Sequence, residues 1–401
     1  ILDCVKLIHF HLGSQITNIR RIKNSLKEVG RFYSELMRFG CNIEYIDVGG
    51  GLGIDYDGSR STFASSTNYS VQEYANDVVY HLLEICKSEN LPHPNIISES
   101  GRAMTAHHSI LVVNVLDVTS FPEWSDEINV PEDTPEAVKE IFNVLNSTSN
   151  KNLIESWHDA VHLKEEAQSK FLLGLISLAD RALIERIYWG ICRKIEKISS
   201  RLKFLPDDIS NLRTRLADKY FCNFSVFQSV PDSWAIDQVF PVVPLHRLNE
   251  EPDRDATLAD ITCDSDGRID NFIGTNRGTE NTLRVHSLKE NESYALCIFL
   301  TGAYQEILGD LHNLFGDTNT VHVSLKEDGT INYEQIIEGE DVADVLDYVQ
   351  FSADELAGRI DGFLIGCVQR GVVTQQEADD FLALYKEGLN GYTYLVKPDA
   401  D

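Results

Sequence analysis

The hydrophobic and polar positions follow two different periods along the chain, and the first 130 residues combine both. Mostly apolar runs at 5–12, 43–48 and 95–98 are typical of buried strands, and apolar residues repeat at helical spacing in 19–36 and 70–86. Strands that alternate with helices predict a parallel sheet, either doubly wound or part of a (β/α) barrel. In both architectures ligands bind at the C-terminal ends of the strands.

Other patterns follow residue 130. Residues 131–220 have an almost continuous helical periodicity that opens at Thr134, and we predict a helical insertion there. Residues 221–337 contain short alternating runs, among them FSVFQSV (224–230), separated by Asp-Gly turns, which predict an antiparallel β domain. The tail, 338–401, contains two capping-box motifs and predicts a C-terminal helical region.

The number of βα units bears on the size of the protein. About three units are visible in residues 1–130, against the eight of a closed barrel. The sequence also begins at Ile1 rather than at a methionine. We therefore expect this segment to be the C-terminal part of a barrel that belongs to a longer protein.

The composition excludes several classes of partner. The chain has 35 basic and 63 acidic residues, which gives a net charge of -28. Nucleic acid and anionic membranes both attract basic surfaces, so we expect neither as a partner, whereas a cationic small molecule is compatible. No apolar run approaches the roughly 20 residues of a membrane span, and no signal-peptide pattern is present, so we expect a cytoplasmic location. The eight cysteines form no CxxC pair, which predicts free thiols.

A glycine run, DVGGGLGIDY (47–56), directly follows the second predicted strand. Its spacing does not match the dinucleotide-binding fingerprint, and no Walker lysine follows. Glycines at a strand end can offer main-chain amides to an anion because no side chain obstructs the approach. The run therefore indicates either a phosphate site or a tight turn that needs positive φ angles.

Two histidines, His9 and His11, lie on one face of the first predicted strand because side chains repeat every second residue. Such a pair can begin the zinc site of a barrel hydrolase. The sequence offers no obvious further ligands, so we assign no metal site. A core or stacking role is the favoured interpretation.

The segment SESGR (98–102) stands at the end of the third predicted strand. One interpretation is a surface ion pair between Glu99 and Arg102, which would contribute little. Its position at the ligand edge favours another. Gly101 and Arg102 would hold a phosphate, while Glu99 would pair with a ring nitrogen.

Five motifs in order carry a resemblance to a known family: HFHLGS (9–14), DVGGGLG (47–53), ESGR (99–102), CDSDG (263–267) and GAYQE (302–306). The chain resembles the fold-type III pyridoxal-phosphate decarboxylases of basic amino acids, and most closely their arginine branch. The resemblance extends over essentially the whole chain. It implies an α/β plus β fold: the C-terminal part of a (β/α)8 barrel that binds pyridoxal phosphate, a helical insertion, an antiparallel β domain and a C-terminal helical region.

The resemblance also implies roles for individual residues. His11 would stack on the pyridine ring of the cofactor, and Glu99 would pair with its ring nitrogen. Cys263 would return a proton to the substrate carbon in a neighbouring subunit's site. The residues implied near the phosphate are Ser14, Gly49, Gly50, Gly51, Gly101, Arg102 and Tyr304.

Acidic side chains are the implied partners of the distal cation of the substrate. Asp264 and Asp266 flank the cysteine, and Asp232 or Asp237 is a further choice. The residues in and beside the glycine run that we also assign to substrate binding are Asp47, Asp55 and Tyr56.

The activity that the resemblance implies is decarboxylation of L-arginine to agmatine in polyamine biosynthesis. It would use pyridoxal phosphate and Mg²⁺, in a homodimer or homotetramer with active sites at the interface. The Schiff-base lysine of the family lies upstream of the HFHLGS strand, and Lys6 does not match it, so we expect the activity to belong to a longer parent protein. Open alternatives are a non-catalytic binding homologue and a decarboxylase of lysine, ornithine or diaminopimelate.

Overall fold

The computed structural model describes residues 2–121, 128, 130–131, 133–199, 209, 211–274 and 278–396. The helices and strands of these residues form four groups. They are a small parallel sheet with its helices, a helical bundle, a larger mixed sheet, and a hairpin followed by C-terminal helices.

The first group is a parallel sheet in the order β1-β2-β3, with a helix after each of the first two strands. Both helices begin at side-chain caps, because Asn18 accepts a hydrogen bond from the Arg20 amide and Ser70 accepts one from the Glu73 amide. Their apolar faces enclose a core with the central strand. The elements are β1 (Leu7–His9), α1 (Ile19–Arg38), β2 (Tyr45–Asp47), α2 (Val71–Glu89), β3 (Asn95–Ile97) and the short α3 (Gly101–Thr105).

The second group is a helical bundle, as the apolar spacing predicts. Val138, Ile141, Ile187 and Ile191 lie in its core together with Trp157. The helices are α4 (Glu136–Ser147), α5 (Leu153–Leu172), α6 (Leu178–Ser199) and the short α7 (Leu212–Leu216).

The third group is a seven-stranded sheet in the order β11-β7-β5-β4-β12-β6, with β8 paired to β7. Its neighbours are antiparallel except for the parallel pair of β5 and β7. The strands are β4 (Ile110–Thr119), β5 (Asp218–Cys222), β6 (Val242–Pro244), β7 (Arg254–Ala259), β8 (Arg268–Ile269), β11 (Leu283–Val285) and β12 (Ala295–Phe299). A separate ladder joins β9 (Phe272–Ile273) and β10 (Thr279–Glu280).

This sheet differs from the sequence prediction in two ways. The predicted boundary at residue 130 assigns Ile110–Thr119 to the barrel segment, but this strand pairs with β5 and β12, so the bundle is inserted between two neighbouring strands of one sheet. The prediction of a strand at 224–230 is wrong. Ser225 accepts a hydrogen bond from the Gln228 amide and caps a short helix, α8 (Val226–Ser229), which α9 (Pro231–Ala235) follows.

The fourth group begins with the hairpin of β13 (Thr320–Leu325) and β14 (Ile331–Ile337). Its Asp-Gly turn places Gly329 at φ +80°, which glycine adopts without strain. Three helices follow: α10 (Val342–Tyr348), α11 (Ala353–Gln369) and α12 (Gln375–Leu389). Thr374 and Glu377 form the predicted capping box of the last helix. Within the described parts of the chain, no helix is long and apolar enough to cross a membrane.

Candidate functional site

The C-terminal ends of the three parallel strands bring together His9, Asp47 and Glu99, one from each strand end. His9 Nδ1 lies 2.8 Å from Asp47 Oδ2, and Asp47 Oδ1 accepts the Gly49 amide at 2.8 Å. Asp47 is buried, and both of its oxygens have partners within the chain. The ligand atoms of the trio lie within 4.8 Å of one another, a grouping that could hold a cation. Asp47 thus connects two strand ends, and its contact with the substrate stays a prediction.

The glycine run is required by close packing of the main chain. Gly49 and Gly51 have φ angles of +67° and +89°. A Cβ atom on either would lie 2.2 Å from a carbonyl oxygen, of Phe10 in the first case and of Gly13 in the second. No side chain fits there, because contacts below about 3 Å between such atoms are strongly repulsive. The run therefore holds the ends of β1 and β2 against each other.

Amides of this run have hydrogen-bond partners within the chain. The Gly49 amide donates to Asp47, and the Gly50 amide donates to Nδ1 of His11 at 3.1 Å. Two of the three amides expected at a phosphate thus have side-chain partners. The bond to His11 leaves its Nδ1 without a proton and fixes the orientation of the imidazole. Glu99 Oε2 lies 4.0 Å from the same Nδ1.

The Arg102 guanidinium is the centre of the second half of the site. Arg102 is only 6% exposed, and it donates to the Tyr56 hydroxyl and to the Ser14 hydroxyl, each at 2.9 Å. Its carbon Cζ lies 4.7 Å from the centre of the Tyr304 ring. Its Nε is buried without a hydrogen-bond partner, and no carboxylate pairs with it among the described residues. A buried cation without a counter-charge is unfavourable, so the arrangement suits an anion.

Tyr56 is fully buried beneath this arginine. Burial raises the pKa of its hydroxyl, and the positive charge of Arg102 acts in the opposite direction. Its ring packs edge-on against Phe240, with centroids 5.5 Å apart. Tyr56, predicted to contact the substrate, therefore supports the arginine through its hydroxyl oxygen.

The predicted acidic residues are divided among several places. Asp232 is buried and forms a reciprocal pair with Gln305, whose amide nitrogen donates to Asp232 Oδ2 at 2.9 Å. Asp55 accepts the Ser66 hydroxyl at 2.6 Å. Asp237 is exposed at φ +53°. Of these three, only Asp237 has a fully exposed position.

Cys263 lies in an exposed loop, with Asp264 and Asp266 also exposed beside it. Its main-chain amide donates to Asn313 Oδ1 at 2.9 Å. Among the described residues, no hydrogen bond or ion pair connects this loop to Glu99 or Arg102. The fold of one chain thus brings the strand-end residues together and leaves the thiol facing outward.

Two residues important for this geometry were missed in the sequence. The Gln15 side chain donates to the Ile54 carbonyl at 2.6 Å and accepts the Ile54 amide at 2.9 Å, which connects the first motif to the glycine run. Its position next to HFHLGS was an available signal. Asn313 follows no motif, and its contact with Cys263 depends on tertiary structure alone.

Models of known protein families match most segments of the chain. A model described as the pyridoxal-dependent decarboxylase, pyridoxal binding domain matches residues 3–106. Models described as the arginine decarboxylase helical bundle domain and C-terminal helical extension match residues 131–213 and 342–395. Together with the strand-end site, these matches define the class: the chain belongs to the fold-type III pyridoxal-dependent decarboxylases as a family.

Individual relatives narrow the class. The biosynthetic arginine decarboxylases of Bacteroides thetaiotaomicron and Phocaeicola vulgatus are 54% and 52% identical to the chain, over 98% of it and 62% of each relative. The crystal structure of the biosynthetic arginine decarboxylase of Campylobacter jejuni superposes with a TM-score of 0.82 at 34% identity, covering 99% of this chain and 64% of that one. The chain belongs to the biosynthetic arginine decarboxylase family, and it spans slightly under two thirds of the length of these relatives. The fold class predicted from the sequence is confirmed.

Proposed function

We propose that the intact protein decarboxylates L-arginine to agmatine and carbon dioxide with pyridoxal phosphate, as a cytoplasmic step in polyamine biosynthesis. The observation that carries the proposal is the buried Arg102 guanidinium, which has no carboxylate partner in the described parts of the chain. A phosphate supplies the missing negative charge and accepts the unpartnered Nε–H group. The resemblance of the chain to arginine decarboxylases supports arginine as the substrate.

The residues present fit pyridoxal phosphate. Arg102, Ser14 and Tyr304 converge on one point at the edge of the sheet, where the phosphate would bind. Glu99 would face the ring nitrogen, and His11 would lie against the ring. Gly50 leaves the imidazole room, since a Cβ there would lie 3.3 Å from His11 Cε1. The bound cofactor supplies an electron sink for the pair of electrons left when carbon dioxide departs.

The side chains of the protein would then hold and deliver protons. Glu99, as a carboxylate, holds the proton on the ring nitrogen through a charge-assisted hydrogen bond. Cys263 donates a proton to the substrate carbon. Because the thiol faces outward in this chain, we propose that it serves the site of a neighbouring subunit in a homodimer or homotetramer. The exposed carboxylates of Asp264 and Asp266 accompany it and would bind the guanidinium of the substrate.

Magnesium dependence stays a proposal drawn from the resemblance. The trio of His9, Asp47 and Glu99 could hold a cation, but it shares Glu99 with the ring nitrogen of the cofactor. We therefore assign Glu99 to the cofactor and no residues to Mg²⁺. Chelation of divalent ions, followed by an agmatine assay with and without added Mg²⁺, tests the dependence.

The decisive experiment measures products and cofactor binding in the intact protein. With pyridoxal phosphate and each of arginine, lysine, ornithine and diaminopimelate, we expect decarboxylation of arginine, with agmatine as the product. Arg102→Gln is expected to weaken cofactor binding at least about tenfold, because it removes charge-assisted hydrogen bonds. Arg20→Gln on the exposed face of α1 is the matched control.

Three results would contradict the proposal. Absence of any product would favour the non-catalytic homologue. Formation of a different product would show that the substrate is another basic amino acid. Unchanged cofactor affinity in Arg102→Gln would show that Arg102 does not bind the phosphate.

A further inference from the structure

The loop that carries Cys263 is held at its base by several hydrogen bonds to Asp260. Asp260, 4% exposed, accepts the amide and the hydroxyl of Thr262 through Oδ1, at 2.9 and 2.7 Å, and the Val226 amide through Oδ2 at 2.9 Å. The Asp260 amide donates to the Gly267 carbonyl at 2.8 Å and closes the loop. The four residues between Thr262 and Gly267 are exposed.

The Asn313 side chain, from outside the loop, reaches the main chain of the cysteine itself. Asn313 Oδ1 accepts the Cys263 amide at 2.9 Å across fifty residues of sequence. Among the described residues the Cys263 N–H group has no other hydrogen-bond partner, so loss of this bond would free the preceding peptide to rotate. The main chain of Cys263 sets the direction of its Cα–Cβ bond and restricts the rotamers of the thiol.

Asn313 is held in an unusual conformation. Asn313 and Leu314 have φ angles of +58° and +60°, two successive left-handed residues without glycine. Such conformations cost free energy and persist where the surrounding structure imposes them. The preceding residue, His312, packs its ring 4.6 Å from that of Phe227 and places its Nε2 3.8 Å from Asp264 Oδ2. The segment 312–314 is therefore anchored on the core and aimed at the cysteine loop.

We propose that Asn313 is a positioning residue that directs the Cys263 thiol towards the substrate carbon, by fixing the main chain of Cys263 through its side-chain oxygen. The inference rests on the proposed role of Cys263 as proton donor. The thiol proton passes to the substrate carbon, which held the bond to the departed carboxylate, and agmatine forms. If the thiol were misdirected, a proton from water would be taken up on the cofactor instead of on the substrate carbon. Hydrolysis by one water molecule would then give pyridoxamine phosphate and a guanidino-aldehyde in place of pyridoxal phosphate and agmatine.

The experiment measures pyridoxamine phosphate formed per agmatine in the intact enzyme. Asn313→Gly keeps the left-handed backbone and removes the acceptor, so this ratio is expected to rise about tenfold, the effect of one lost hydrogen bond, with kcat lowered and KM changed less than about twofold. Asn313→Asp keeps both the left-handed backbone and the hydrogen-bond acceptor, so the ratio is expected to stay at the wild-type value. Asn313→Gln is a second variant, since Gln15 and Gln350 already adopt left-handed angles in this chain, and its displaced oxygen should also raise the ratio.

Controls separate this role from a general structural one. Asn291→Gly replaces another exposed left-handed asparagine, φ +61°, far from the loop in sequence, and should leave the ratio unchanged. Cys263→Ala gives the upper limit of the ratio. A wild-type ratio in folded Asn313→Gly and Asn313→Gln, or a ratio in Asn313→Asp as high as in Asn313→Gly, would overturn the inference. Absence of agmatine in the wild type would instead overturn the proposed function.

Discussion

The strand-end site and the Cys263 loop are constructed in opposite ways. At the strand ends the positive charge is inside: the Arg102 guanidinium is buried, and main-chain atoms pack closely at the glycines. In the loop the charge is outside: the thiol and two carboxylates are exposed, and the buried residue is Asp260 beneath them. The first arrangement leaves a buried charge for a ligand to neutralise. The second presents reactive groups outward from a fixed base.

This difference implies different tolerances to substitution. Gly49 and Gly51 at the strand ends have a positive φ and lie against a main-chain carbonyl oxygen. Substitution by alanine would therefore cost free energy twice, through backbone strain and through a steric clash. In the loop, the obstacles at Gly267 are the side chains of Asp260 and Thr262, which can move at some cost. We therefore expect the strand-end site to be the more easily broken of the two.

The largest expected effect is on Gly51. Gly51→Ala should lower the free energy of unfolding by about 3 kcal/mol or more, because its Cβ would lie 2.2 Å from the Gly13 carbonyl oxygen at φ +89°. Gly58→Ala is the control, with φ +70° and no atom within 4 Å of the new Cβ. Denaturant unfolding of both variants measures the difference. Equal losses would show that φ alone matters.

A smaller effect is expected at the loop. Gly267→Ala should destabilise by about 2 kcal/mol, because its Cβ would lie 2.2 Å from Asp260 Oδ1 and would displace that carboxylate from the Thr262 amide. The same unfolding measurement tests this value, with the exposed Gly362→Ala as reference, because no atom lies within 4 Å of the new Cβ there and φ is not positive. A loss in Gly267→Ala larger than that in Gly51→Ala would reverse the ranking of the two regions.

The hydrogen bond from Arg102 to the Tyr56 hydroxyl should contribute less to the free energy of unfolding than the two glycines do. Tyr56→Phe removes the acceptor of Arg102 Nη1 and leaves a second guanidinium N–H group without a partner, so a loss of about 1 to 2 kcal/mol is expected. Tyr80→Phe removes an exposed hydroxyl that bonds Glu84 and should change stability by less than about 0.5 kcal/mol. Added phosphate should protect the wild type more than Tyr56→Phe, measured as a rise in melting temperature.

The smallest effect is a pH dependence at Asp260. Burial raises the pKa of this carboxyl above its usual 3.8, against the hydrogen bonds from Val226 and Thr262. The folded state then binds the proton more tightly than the unfolded state, so the contribution of this group to stability falls as pH rises from 3.8 through the raised value. Asp260→Asn does not titrate. The stability difference, wild type minus variant, should therefore decrease over that window, and an increase would contradict the raised pKa.

Sequence patterns were sufficient for the elements whose periodicity is local. The helices of the bundle and the capped helices α2 and α12 follow from apolar spacing and from side chains that bond amides three residues away. The strand predicted at 224–230 failed because Ser225 bonds the Gln228 amide and starts a helix within an alternating apolar run. The pairing of β4 with β12 was not predicted, because the two strands are nearly two hundred residues apart in sequence.

The features of the candidate site also divide into those that local sequence predicts and those that depend on tertiary structure. The sequence alone determined which residues gather at the strand ends, because His11, the glycine run, Glu99 and Arg102 each follow a strand of one parallel sheet, whose C-terminal ends share an edge. Only the tertiary structure decided how their donors are used. It directs the Gly50 amide to His11, buries Arg102 without a counter-charge and connects Asn313 to Cys263. The physical reason is that hydrogen-bond partners distant in sequence depend on packing to within about an ångström, which periodicity and spacing do not specify.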